Sequence, residues 1–148
     1  MPKATTQQSQ WEITTNQRLA DAGRRRGGAR AAVVALLDEQ SCALSAYEIE
    51  DLLAERERAA GRASIYRILE ELEELGVVSK VELGQGQARY EAIRPDHHHH
   101  HLVCDGCGAV IAFDDEPLER AVHSISKRVD FAVEGHEIVL RGLCADCR

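Results

Sequence analysis

No apolar run in this 148-residue chain approaches the roughly 20 residues of a membrane-spanning helix; the longest, such as residues 31–37, are far shorter. The opening MPKATTQQSQ lacks the charged start and apolar stretch of a secretory leader, so a cytoplasmic location is expected. There is no H-E-x-x-H, and no H-x-E with P-C-x-x-C, the arrangements that hold catalytic zinc in many hydrolases and deaminases. No α/β scaffold of the kind that forms a substrate pocket is evident either. The expectation is a protein that is not an enzyme and has no small-molecule substrate and no membrane partner. Net positive charge is also missing, the formal sum being −7.

That deficit does not exclude a nucleic-acid partner, because the distribution of charge matters more than its sum. Residues 1–94 carry 13 Lys/Arg against 15 Asp/Glu, whereas residues 95–148 carry 5 against 10. Arg24, Arg25, Arg26 and Arg30 form a basic cluster, while Glu70, Glu71, Glu73 and Glu74 hold much of the acid. An apolar fraction of 44% and a charged fraction of 29% fit a soluble globular chain of one ordinary domain or two small ones. Four of the five cysteines fall into two C-x-x-C pairs, leaving Cys42 alone. In a reducing cytoplasm such pairs read as metal ligands before disulfides.

Hydrophobic spacing divides the chain into a polar, flexible segment at 1–15, a first domain at 16–94 and a second at 95–148. In the first domain, residues 16–23 predict a short helix ended by Gly23, and 30–40 a second. Ser45-Ala46-Tyr47-Glu48 is a capping box opening a third helix to about residue 58. Ser64 is placed to cap a fourth, whose stripe is Ile65, Ile68, Leu69, Leu72 and Leu75 and whose stop is Gly76. Two alternating runs, 77–83 and 88–93, joined by GQGQ, predict a β-hairpin. Helices followed by a hairpin give the order of a winged helix-turn-helix, and Arg94-Pro95-Asp96 makes a hinge. The second domain reads as strands at 97–103, 110–113 and 137–143 with a helix at 118–129. It is below the size at which a core alone suffices, and so calls for a metal, a partner subunit or both.

Cys104-x-x-Cys107 and Cys144-x-x-Cys147 have the spacing of a structural four-thiolate zinc site, with Gly106 and Gly108 supplying turn freedom. A redox pair is the lesser alternative. Five histidines, His97 to His101, stand in a row just before the first pair. On a strand, His97, His99 and His101 point one way while His98 and His100 point the other, so the row can feed two metal sites. A purification tag or an unspecific histidine tract would leave the two-domain context unexplained. Glu91, Glu119 and His136 are further candidate ligands.

The stretches ASIYRIL (63–69), RYE (89–91), HHHHHLVCDGCG (97–108) and GHEIVLRGLCADC (135–147) resemble, over roughly residues 16–148, the ferric uptake regulator family of bacterial metalloregulators. The resemblance implies an α+β protein: an N-terminal winged helix-turn-helix, then a small α/β dimerisation domain with a four-cysteine zinc site. It implies a homodimeric repressor that binds double-stranded operator DNA when a hinge metal site is filled. Cys104, Cys107, Cys144 and Cys147 match the structural zinc ligands. Glu91, His99 and His101 match the hinge regulatory site, and His98, His100, Glu119 and His136 a second site inside the dimerisation domain. One departure is that the histidine the family usually takes from before its second DNA-binding-domain helix is here Ala43, with Cys42 beside it as a possible substitute ligand. Histidine and glutamate donors favour Fe2+ or Mn2+, whereas Cys42 would favour Zn2+. Iron is the first expectation, and zinc-uptake and peroxide-sensing relatives are the alternatives.

Tyr66 and Arg67, with Ser64, lie at the start of the predicted recognition helix, where base edges are met. Tyr66 can pack on a thymine methyl and Arg67 can reach a phosphate or a base. Arg25 resembles the family's minor-groove residue, and Arg24, Arg26 and Arg30 are expected to add phosphate contacts. The glutamates of residues 70–74 should face away from DNA or toward a partner subunit. The rival readings are a zinc enzyme and a metal-buffering protein; a buffer would leave the recognition helix and wing without a purpose.

Overall fold

The computed structural model describes residues 8–25, 27–84, 86–95 and 97–148. It divides into two compact units, Met1–Pro95 and Asp96–Arg148. No helix among the described residues is long and apolar enough to cross a membrane.

The first unit begins with α1 (Gln10–Asp21), earlier than the helical spacing at 16–23 suggests. Part of the segment expected to be flexible is therefore helical. Ser9 caps the helix by accepting the Glu12 N–H at 3.1 Å and donates to Asp38 at 2.5 Å. Trp11 is buried, and its indole N–H reaches the Val77 carbonyl at 2.9 Å. This tie spans 66 residues and is invisible to local periodicity. Next come α2 (Gly28–Glu39), the short strand β1 (Leu44–Ser45), α3 (Ala46–Glu55) and α4 (Arg62–Glu74). The capping box at Ser45 and Glu48 is formed as expected. By contrast α4 starts at Arg62, after the extended N-cap Gly61, and not after Ser64. Ser64 lies inside the first turn and accepts from Arg67 at 3.3 Å.

Strands β2 (Val78–Glu82) and β3 (Ala88–Ala92) form the antiparallel hairpin, and β1 adds to its edge in the order β1-β3-β2. Gly84 and Gly86 take left-handed φ of 91° and 72° in the connection, which other residues adopt only under strain. The core is the helical stripe expected: Ile65, Ile68, Leu69 and Leu72 of α4 pack with Val33, Leu36 and Leu37 of α2 and Ile49 and Leu53 of α3. Its effect is to fix α4 against the hairpin, leaving the outer face of α4 free.

The second unit is a mixed sheet with one helix. Strand β4 (His100–Cys104) pairs antiparallel with β5 (Val110–Phe113) and parallel with β6 (Val139–Gly142), in the order β5-β4-β6. The return from β5 to β6 is carried by α5 (Glu116–Arg128), capped by the Asp115 carboxylate on the Leu118 N–H at 2.8 Å. Among the described residues of this unit only His100, His101, Val103 and Cys104 are buried. Ile111, Ile125, Phe131, Leu140 and Leu143 are exposed. The chain alone thus provides almost no apolar core here.

Candidate functional site

The two C-x-x-C pairs converge. Cys104 ends β4, Cys107 follows in the turn, and Cys144 and Cys147 lie beyond β6; all four sulfurs lie within 4.8 Å of one another. The Sγ atoms of Cys107 and Cys144 are 3.8 Å apart. Backbone N–H groups of Cys107 and Cys144 donate to the Cys104 sulfur at 3.5 and 3.3 Å and draw its pKa down to about 6. The Cys147 thiol moves the other way, to about 12, through its contacts with the sulfurs of Cys144, Cys104 and Cys107. One thiol ionises readily and another resists, as expected where negative charges would crowd together, and a divalent cation at their centre relieves that conflict. The cradle also needs glycine: a Cβ at Gly106 would lie 2.9 Å from both Cβ and Sγ of Cys147. Gly106→Ala is therefore expected to displace Cys147 and lower zinc retention severalfold under competition from a chelator. Metal content after dialysis against a graded chelator series measures this directly.

A second cluster sits between α5, β4 and the segment before β6. His98, His100, Glu119 and His136 bring one ligand atom each to within 4.8 Å of the others. Nε2 of His100 is 2.5 Å from Oε1 of Glu119, and Nε2 of His136 is 3.0 Å from Oε2. The His98 and His136 Nε2 atoms are 3.1 Å apart. The hydrogen bond from His100, then that from His136, holds the Glu119 carboxyl below its usual range, while burial pulls His98 down. His100 is fully buried, with its ring 5.5 Å from that of Phe113, and its Nδ1 makes no hydrogen bond among the described residues. Three imidazoles gathered around one carboxylate offer the nitrogen and oxygen donors that suit a divalent cation.

His99 and His101 lie on the other face of the row, with ring centroids 5.0 Å apart. Formal strand pairing starts only at His100, yet the alternation extends back to His98, whose ring meets His100 edge-on at 4.7 Å. Glu91 is placed on β3 of the first unit, where it registers with Ser79. Cys42 is half-buried ahead of β1. Ala43 is buried, and its carbonyl accepts from Arg89, which also pairs with Glu48 at 2.7 Å.

On α4, Tyr66 and Arg67 are exposed, and the core face is filled by Ile65 and Ile68. Tyr66 is thus a surface residue and not core packing. In the basic segment Arg24 and Arg25 are exposed, whereas Arg30 is engaged: its Nε and Nη2 reach Glu71 at 3.1 and 2.8 Å. Arg26 lies outside the described residues. The acidic run expected to face away from DNA or toward a partner subunit has one member, Glu71, that pairs within its own chain. Sequence reading missed this pairing, since its two ends are 41 positions apart.

Residues 21–141 match the model of the ferric uptake regulator family. The chain is 37% identical over 119 residues to the ferric uptake regulation protein of Bacillus subtilis (strain 168), covering 79% of this chain and 80% of that one. It is similar to the crystal structure of the Vibrio cholerae ferric uptake regulator, with a TM-score of 0.76, 32% identity, and coverage of 87% and 98%. It is also similar to a zinc uptake regulator solved with zinc and DNA, with a TM-score of 0.53, 32% identity, and coverage of 94% and 95%.

Proposed function

The chain belongs to the ferric uptake regulator family of metal-responsive regulators, and we propose that it is a cytoplasmic, homodimeric repressor that binds operator DNA when a metal site at its hinge is filled. The observation that carries this reading is the two-faced histidine row. His98 and His100 enter a cluster with Glu119 and His136, while His99 and His101 stand together on the opposite face. One strand therefore offers ligands to two separate centres.

In this reading Cys104, Cys107, Cys144 and Cys147 hold a structural zinc, and His98, His100, Glu119 and His136 hold a second ion. Glu91, His99 and His101 hold the regulatory ion, with Cys42 the candidate for a further ligand. A bound divalent ion supplies a positive charge that several donors share. Glu91, His99 and His101 restrain the domains that carry them, so that two recognition helices keep the spacing of successive major grooves. Tyr66, Arg67 and Ser64 meet the DNA from α4, and Arg24 and Arg25 meet it from the segment between α1 and α2, with Arg26, outside the described residues, as a further contact expected from the sequence. The exposed apolar residues of the second unit supply the dimer face.

Nitrogen and oxygen donors favour ferrous iron at the hinge. Zinc sensing is the second reading, supported by the equal identity of the chain, 32%, to the V. cholerae protein and to the zinc uptake regulator. Selection of duplexes from a random library by the purified protein, after chelation and with each of Fe2+, Mn2+ and Zn2+ restored, tests this. A preferred duplex bound only with metal is expected, most tightly with iron. Equal binding after complete removal of the exchangeable ion rejects metal control.

A further inference from the structure

We propose that Glu71 is a positioning residue for DNA reading: from the flank of α4 it holds Arg24, Arg25 and Arg30 at a fixed distance from Tyr66 and Arg67, and so sets sequence selectivity. The inference rests on the DNA-binding function proposed above.

Glu71 differs from the glutamates around it. Glu70, Glu73 and Glu74 are exposed, whereas the Glu71 side chain is only 20% exposed, as is that of Arg30. Its Oε2 accepts from two nitrogens of Arg30 at 3.1 and 2.8 Å, and its Oε1 lies 3.5 Å from Nη1 of Arg24. The remaining arm of Arg30, Nη1, donates to the Arg25 carbonyl. One carboxylate on the helix therefore faces the side chain of residue 24 directly and, through the Arg30 guanidinium, holds the backbone of residue 25. Only arginine does this, because its donors are fixed in a planar fork that can face a carboxylate on one edge and a carbonyl on another.

The segment has reason to need such a grip. Gly23 adopts a left-handed φ of 71°, and Gly27 caps α2 without a side-chain hydrogen bond. Glycines on either side of Arg24 and Arg25 make the backbone there freer than any other residue would. Upstream, the Arg24 N–H is tied to the Leu19 carbonyl at 2.9 Å; downstream, the tie is the Arg30 fork. Electrostatics point the same way. A glutamate on a DNA-reading helix repels phosphate, but here its charge is met by two guanidiniums, so Glu71 fixes the loop without an uncompensated charge beside the duplex.

The test uses the full-length, metal-loaded protein, a duplex selected from a random library by the unaltered protein, and a scrambled duplex of the same length. Glu71→Gln is expected to weaken binding to the selected duplex about tenfold, as for the loss of one well-placed base contact. Binding to the scrambled duplex should stay level or rise as two cations are released, so the ratio of affinities falls at least tenfold. Arg30→Lys keeps the charge but cannot span Glu71 and the Arg25 carbonyl, and should lower the ratio likewise while the melting temperature of the protein stays near that of wild type. Parallel strengthening on both duplexes by Glu71→Gln would show that Glu71 acts only as a negative charge and overturns the proposal. An unchanged ratio in Arg30→Lys overturns it as well. If the unaltered protein fails to distinguish the duplexes, the DNA-reading function itself fails; a discriminating wild type with indifferent variants rejects the Glu71 role alone.

Discussion

Cys144→Ser is expected to unfold residues 96–148 and dissociate the dimer while residues up to 95 stay folded. The second unit has roughly 50 residues, and its buried members among those described are only His100, His101, Val103 and Cys104. Two of those four are imidazoles, which gain little from leaving water. Binding of a structural zinc by four thiolates is worth on the order of 10 kcal/mol, comparable with the whole stability of an ordinary domain. Cys144 contributes twice, through its sulfur 3.8 Å from that of Cys107 and through its N–H on the Cys104 sulfur at 3.3 Å. Serine keeps the N–H but loses the soft donor. Unfolding of this unit would also disperse Ile111, Ile125, Phe131 and Leu140, the exposed residues proposed above as the dimer face. Sedimentation should give a monomer, the zinc content should fall toward zero, and amide exchange should become fast in the second unit only. A zinc-free variant that remains a dimer with protected β4 amides would mean that apolar contacts, and not the thiolates, hold the unit together.

Much of this was legible in the residues, and what was not has physical causes. The capping box at Ser45, the hairpin around its glycines and the strand at Val110–Phe113 depend on neighbours within a few positions, and local pattern reads such neighbours well. The start of α1 also had a local signal, Ser9 three residues before Glu12, but the polar run around it looked mobile. What makes that helix hold is Trp11 on the Val77 carbonyl, a contact that no periodicity reports. At α4 the expected cap was Ser64, whereas the helix begins one turn earlier, after the extended Gly61. The grouping of the four cysteines was legible from spacing alone, since a C-x-x-C turn has few ways to present its sulfurs. The alternation of the histidines was legible from strand geometry, although three of the five precede the paired strand. The grip of Arg30 on Glu71 was not legible, because an ion pair between separate helices depends on how those helices pack, which charge counts do not contain.

His99→Ala is expected to abolish the metal dependence of operator binding while zinc content, dimerisation and thermal stability of the first unit remain those of wild type. The His99 ring meets His101 edge-on at 5.0 Å on the face of the row away from the Glu119 cluster. Its loss therefore leaves the four thiols and the ligands His98, His100, Glu119 and His136 in place. In the proposed mechanism, Glu91, His99 and His101 sharing one cation lose the freedom to separate, and the population shifts to domain arrangements that suit DNA. Coupling of this kind is worth about 1–3 kcal/mol, so wild type should gain roughly 5- to 150-fold in operator affinity on metal addition and the variant close to none. Linkage adds a stricter requirement: operator DNA must tighten the exchangeable ion in wild type by the same factor, and must not in His99→Ala. Titrating the ion with and without the selected duplex measures that factor independently of the DNA-binding curve. If His99→Ala keeps the full metal response, regulation lies in the His98, His100, Glu119 and His136 cluster. If metal sharpens DNA binding in wild type but DNA leaves ion affinity unchanged, the two events are not one equilibrium and the hinge mechanism is wrong.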